Sequence, residues 1–255
     1  MGQIIAFVPA SGGVGATTLG AALAIRAAAA SRSVVAVDLD PGSGGLDVVF
    51  GVEQERGWRW DALAEVAGIV DGAGLAARLP RTDGVPILAM SRVAAAGCGS
   101  GGHPAWLASV PDVLVGLAEA HEVVVVDASR DPVVLSALAG VIDVLVLVVG
   151  TGVTQLAAAS VAAASMRDLA PESWVVLRDN PGDDLADLIA DELDLPVVAV
   201  LRRDGQVAHE VTRGVPPGVR ARGPVVAVAD RLLLRLAERA GDERVVPRWT
   251  LRRAS

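Results

Sequence analysis

Seven short stretches of the chain are almost continuously apolar: QIIAFV (3–8), SVVAVDLD (33–40), VPILAM (85–90), EVVVVDAS (122–129), DVLVLVVG (143–150), SWVVLR (173–178) and LPVVAVL (195–201). Continuous runs, as opposed to alternation, suit strands covered on both faces, which is the habit of parallel sheets. Between them lie stretches of helical period at 16–30, 58–66, 104–120, 133–140, 152–169, 183–193 and 224–240. Strand and helix in turn predict right-handed crossovers and an α/β fold: a doubly wound, mostly parallel β-sheet with helices on both faces. In such sheets ligands sit at the carboxyl ends of the strands. Gly and Pro cluster at 40–45, 94–104 and 213–224, which are expected to be loops. Neither an internal repeat nor a long low-complexity linker interrupts the pattern, so residues 1–241 are expected to form one domain and 242–255 a basic, flexible tail.

Composition narrows the setting. With 255 residues, 52% of them apolar, the chain can bury one substantial core. The Ala-rich stretch from Ala21 to Ala30 is interrupted by Arg26, and no segment reaches the roughly 18 to 20 apolar residues that span a bilayer. The first ten residues have no basic region ahead of their apolar run, so they do not read as a secretion signal. Cys98 stands alone, which excludes an internal disulfide and argues against a cysteine metal site. A cytoplasmic protein is expected. Residues 1–201 carry 10 Arg against 24 acids (−14), and residues 202–255 carry 12 Arg against 6 acids (+6). An anionic partner is therefore expected only at the C-terminal quarter, if anywhere.

The chemistry starts at FVPASGGVGATT (7–18), where a strand runs into a glycine-rich turn and then a helix. Glycines let successive backbone N–H groups turn inward, and the helix N-terminus adds partial positive charge, which together make a phosphate cradle. Thr17 and Thr18 fall in the first helical turn, where one hydroxyl can ligate Mg²⁺ and the next reach a phosphate oxygen. The pattern G-x-x-x-x-G-K-[ST] is not met. Position 16 is Ala, and the chain contains no Lys at all. A general exchange of Lys for Arg explains the surface but would put Arg at 16, not a methyl group.

The set Ser11, Gly12, Gly13, Val14, Gly15, Ala16, Thr17, Thr18 lies along the pattern K-G-G-x-G-K-[ST]-[ST]. With VVAVDLDP (34–41) and VVVVDASRDP (123–132) it resembles the ParA/MinD family of P-loop ATPases. Within that family, VDLDPGSGGLDVVFGVEQERGWRW (37–60) followed by RTDGVPILAMS (81–91) looks most like the septum-site determining Ssd group and its CpaE and TadZ cousins, which position division or pilus machinery. The resemblance implies ATP or ADP with Mg²⁺ as ligand, with Ser11 to Thr18 in the binding loop. It implies Thr17, Asp38 and Asp127 near the metal, and Asp40 and Asp127 as the catalytic acids. It also implies that the lysine missing at 16 would contact the β- and γ-phosphates, and the one missing at 11 would reach across a dimer. Arg178 or Asn180 would contact the base. Protein partners in division or pilus machinery, and a homodimer, follow from the same likeness. CpaE-type relatives carry a receiver-like domain ahead of the glycine loop, whereas this chain opens on the loop's own strand.

At about 4 Å and an effective dielectric near 20, each lost cation forfeits roughly 4 kcal/mol of gross attraction. Weak or absent nucleotide binding and impaired hydrolysis are therefore expected, since charge on a transferring phosphoryl group needs those cations most. Two other readings share the loop. A competent switch ATPase could recruit a substitute such as Arg130, and an NAD(P)-dependent oxidoreductase also has a glycine loop followed by an acid after its second strand. Against the latter, Thr18 stands where the third glycine is needed. The C-terminal arginines Arg213, Arg220 and Arg222 are candidates for DNA phosphates. The segment 244–255, with four Arg and Trp249, is a candidate for anionic membrane. Trp58, Trp60, Trp106 and Trp174 are expected to be core or interface anchors.

Overall fold

The computed structural model describes residues 1–42, 45–90, 105–179 and 182–241. Eight strands form one sheet: β1 (Gln3–Pro9), β2 (Val34–Leu39), β3 (Arg81–Thr82), β4 (Val85–Leu88), β5 (Val123–Ala128), β6 (Val144–Gly150), β7 (Glu172–Arg178) and β8 (Val197–Leu201). Their order is β3-β4-β2-β5-β1-β6-β7-β8. Only β3 runs antiparallel, against β4. The expected doubly wound, mostly parallel sheet is what the chain forms.

The continuous apolar runs are explained by burial on both sides. Ile4, Ala6 and Val8 of β1 face one hydrophobic cluster, and Ile5 and Phe7 face the other. Helix α1 (Ala16–Ala29) packs on the second face beside the final helix, α9 (Pro224–Ala240). Their polar edges are tied by Arg26 Nε to Asp230 Oδ1 at 2.7 Å. Gly20 lets α1 lie close on the sheet: a Cβ there would meet Phe7 Cδ2 at 3.3 Å. On the first face lie α4 (Val110–Ala120), preceded by a 3₁₀ turn at Ala105–Ser109, and α6 (Val153–Met166). Helices α5 (Pro132–Leu138) and α7 (Asp183–Leu193) complete the long elements that the sequence pattern anticipates.

Several elements differ from expectation. The helix expected over 58–66 is only a 3₁₀ turn, Trp60–Leu63. Three short helices were not anticipated: α2 (Leu46–Phe50), α3 (Gly72–Ala76) and α8 (Gly205–Thr212). The first two span barely one turn, too short to show a 3.6-residue period. The β3–β4 hairpin turns on Asp83 (φ 47°) and Gly84 (φ 83°). Two central residues with positive φ are the geometry that Asp-Gly favours, so this signal was present in the sequence. The expected loop at 94–104, Cys98 and the tail at 242–255 lie outside the described residues. No helix among the described residues is long and apolar enough to cross a membrane.

The winding places the site. From β1 the chain moves to one side for β2 and β4, returns to β5 next to β1, then crosses to β6 on the other side. The carboxyl end of β1 is therefore the point where the winding reverses, and the crevice above it is where ligands enter such sheets. Because β5 lies between β1 and β2, the acid-bearing end of β2 is not adjacent to the glycine loop's strand. In the dinucleotide fold, with order 3-2-1-4-5-6, those two strands are neighbours. The oxidoreductase reading does not survive this topology.

Candidate functional site

The glycine loop leaves β1 at the strand's carboxyl end. Ala10 N still bonds Val148 O of β6 at 2.9 Å, and the chain then turns through Gly13 (φ 75°) and Gly15 (φ 92°), both left-handed. Such values strain any residue with a Cβ. Gly15 occupies the cap position of α1, and Leu19 N closes the first helical bond onto its carbonyl at 3.0 Å. A Cβ added at Gly12 or Gly13 would meet nothing within 4 Å, so this part of the loop opens onto free space. The amides of the loop and of the first turn of a 14-residue helix thus border an open cradle.

The two positions that lack lysine have different surroundings. The Ala16 methyl is 3% exposed and belongs to the hydrophobic cluster under α1. The Ser11 hydroxyl is buried and has no hydrogen-bond partner among the described residues. Thr17 and Thr18, in the first turn, are half-buried.

Three acids stand where their strands end. Asp38 and Asp127 are register partners in the parallel pair β2–β5, so their Cα atoms are about 4.8 Å apart. Both are buried. Asp38 Oδ1 accepts from Asp40 N at 2.9 Å and Oδ2 from Leu46 N at 2.8 Å, which ties the strand end to the start of α2. Burial is the main cause that pushes the Asp38 carboxyl up to about 7, against the lowering effect of those two amides. Burial, and then the charge of Asp38, hold Asp127 well above the usual carboxylate range, while a hydrogen bond from the Thr17 hydroxyl pulls the other way. Asp127 Oδ2 has no partner among the described residues. Asp40 is half-exposed and accepts from Gly42 N at 3.1 Å.

Trp60 braces this acidic edge, a role its sequence position did not disclose. Its indole Nε1 donates to the Asp38 carbonyl at 2.7 Å, and its ring lies 5.3 Å from that of Trp106. Trp60, Trp106 and Trp174 are buried, as anchors should be. Trp58 is 41% exposed, with the Arg78 guanidinium 4.9 Å above its ring.

Two arginines flank the loop. Arg130, two residues beyond the end of β5, donates from Nη1 to Ala10 O at 3.1 Å. Arg178 ends β7, and its Nη1 lies 3.4 Å from where a Cβ on Gly15 would sit. Asn180 lies outside the described residues. Of the C-terminal arginines, Arg220 is committed internally: Nη2 pairs with Asp204 Oδ2 at 3.2 Å and Nη1 with Glu210 Oε1 at 3.6 Å. Arg213 and Arg222 are exposed.

The donor set fits a polyphosphate carrying one small divalent cation. An open cradle of amides, a buried carboxylate oxygen without a partner and a neighbouring threonine hydroxyl are what such a group requires. Among the described residues no group of three or more His, Cys, Asp or Glu could hold a metal ion.

No family model matches the chain. It is 31% identical over 246 residues to an uncharacterised protein of Mycobacterium tuberculosis, found in strain H37Rv and in strain CDC 1551 / Oshkosh; the match covers 95% of this chain and 66% of the relative's length. Among solved structures, the septum site-determining protein MinD of Pyrococcus horikoshii OT3, complexed with Mg-ADP, superposes with a TM-score of 0.73 at 22% identity, over 94% of this chain and 98% of that one. A ParA family ATPase from Chlorobium tepidum TLS gives 0.69 at 16% identity, over 90% and 99% of the two chains. With its eight-stranded sheet and its glycine loop at the winding reversal, the chain has the fold of the ParA and MinD P-loop ATPases.

Proposed function

We propose that this chain is a spatial-positioning protein, of the septum-site or pilus-site kind, built on a ParA/MinD-type P-loop fold whose nucleotide site has lost its lysines. The reading rests on one observation: a glycine loop that opens onto free space at Gly12 and Gly13 runs into the N-terminus of α1, while positions 11 and 16 carry Ser and Ala. Mg-ATP or Mg-ADP would lie against the amides of residues 12 to 18, with Thr17 and Asp127 toward the metal and Asp38 and Asp40 at the neighbouring strand end. Mg²⁺, when bound, supplies the positive charge that the buried carboxylates lack. Main-chain amides and one metal hold nucleotide weakly. They leave the developing charge of phosphoryl transfer without the two lysines that would face it from positions 11 and 16, so hydrolysis is impaired. On this reading the fold acts as a scaffold that partner proteins of the division or pilus machinery recognise.

A second reading has an observation in its favour. Arg130 stands against the loop, as a switch ATPase using arginine in place of lysine would need. Titration with fluorescent ATP and ADP, with and without Mg²⁺, tests the first reading. It predicts Mg²⁺-dependent binding no tighter than the high micromolar range, about −5 kcal/mol or weaker. Tight binding in the nanomolar range would favour the switch instead.

A further inference from the structure

We propose that Arg178 supplies the phosphate-binding cation of this site, reaching the glycine loop from the end of β7 in place of the lysine absent at position 16. The inference rests on the nucleotide reading above and goes beyond it by naming the residue that makes binding through this loop workable. β7 lies two strands from β1 in the sheet, with Gly150 of β6 and Leu201 of β8 as the register partners of Arg178. The side chain returns across the end of β6 to the loop, where Nη1 comes within 3.4 Å of the position a Gly15 Cβ would occupy. Gly15 is thus bare on the side that faces the guanidinium, at the cap of α1.

The guanidinium is also underused where it stands. Its side chain is 26% exposed, and its ion-pair partner is Asp179, itself 65% exposed, with Nε and Oδ1 3.9 Å apart. That separation is too long for a hydrogen bond. Three other half-buried arginines are engaged in ion pairs: Arg26 with Asp230, Arg220 with Asp204 and Glu210, Arg239 with Glu172 and Asp143. A half-buried planar donor set without hydrogen-bond partners among the described residues is suited to the bidentate capture of phosphate oxygens. An independent feature lies at the same end of the sheet. Asp127, the register partner of Phe7 near the end of β1, is 2% exposed, and its Oδ2 has no partner among the described residues. An anion held between Arg178 and the loop, together with its divalent cation, would satisfy both orphaned groups at once.

The test compares wild type, Arg178→Gln and Arg178→Lys for binding of Mg-ADP, of inorganic tripolyphosphate with Mg²⁺, and of adenosine in competition with fluorescent ADP. Unfolding without ligand serves as the fold control. Removing the charge should weaken both Mg-ADP and tripolyphosphate by about tenfold or more, leave adenosine unchanged and flatten the salt dependence. Arg178→Lys should recover part of the loss even if Arg178→Gln proves unstable. Equal binding of tripolyphosphate by wild type and Arg178→Gln, or a loss confined to adenosine, overturns the proposal and leaves the nucleotide reading intact. A wild-type protein that binds neither Mg-ADP nor tripolyphosphate overturns both.

Discussion

Asp38 and Asp127 face each other across neighbouring strands, both buried, and their energetics predict a pH response. The folded chain retains a proton that the unfolded chain releases near the ordinary carboxylate value of 3.8, because the folded Asp38 carboxyl is raised to about 7 and Asp127 is raised well above that ordinary value. Whenever the native state binds more protons, stability falls as pH rises. Stability associated with these groups is therefore greatest below pH 4 and declines through neutrality. Asp127→Asn imitates the protonated residue and removes its share of the titration. The variant should gain on wild type as pH rises above about 4, by up to about 1.4 kcal/mol per pH unit. Urea unfolding at several pH values reads this difference, and a gap that does not change with pH would contradict it. Saturation with Mg²⁺ and nucleotide should shrink the gap, since a cation beside Asp127 favours its ionised form.

At the scale of elements, the acidic edge depends on packing that comes from a distant stretch of chain. Trp60 sits in a short 3₁₀ turn and holds the last residues of β2 through its bond to the Asp38 carbonyl. Trp60→Phe keeps one six-membered ring but deletes that donor and the pyrrole atoms inside a buried site, which should cost about 1 to 3 kcal/mol or more in unfolding free energy. A change below about 0.3 kcal/mol would show that the bond is not a structural tie. How much was readable from sequence divides along similar lines. The seven long strands were legible because each is buried on both faces and so reads as a continuous apolar run. The short helices α2 and α3 were not, because one turn cannot display a period. Ser11 to Thr18 and the three strand-end acids Asp38, Asp40 and Asp127 were legible because loop and strand end are contiguous in sequence. The approach of Arg178 to Gly15 was not: it is set by strand order, with β6 lying between β1 and β7. A base contact was the expectation for Arg178, and sequence spacing alone gave no reason to look toward the loop.

For the whole molecule, the absence of a cation at position 11 matters as much as the one at 16. In the ParA/MinD resemblance a lysine at position 11 reaches the partner's nucleotide, whereas Ser11 here carries no charge and has a short, buried hydroxyl. Association of two copies should therefore not be gated by nucleotide, and the mass from light scattering should stay the same when Mg-ATP is added. A shift to twice the mass that requires Mg-ATP would show that the chain has another way of closing the dimer. The charge imbalance also belongs to this scale. Arg220 is held by Asp204 and Glu210, so only exposed arginines such as Arg213 and Arg222 remain to contribute to binding an anionic surface from the described part of the C-terminal quarter. The central claim concerns turnover, and phosphate release from Mg-ATP by the purified chain measures it most directly. The account predicts release indistinguishable from a protein-free blank at millimolar Mg-ATP. Sustained multiple turnover that disappears in Asp40→Ala would contradict it.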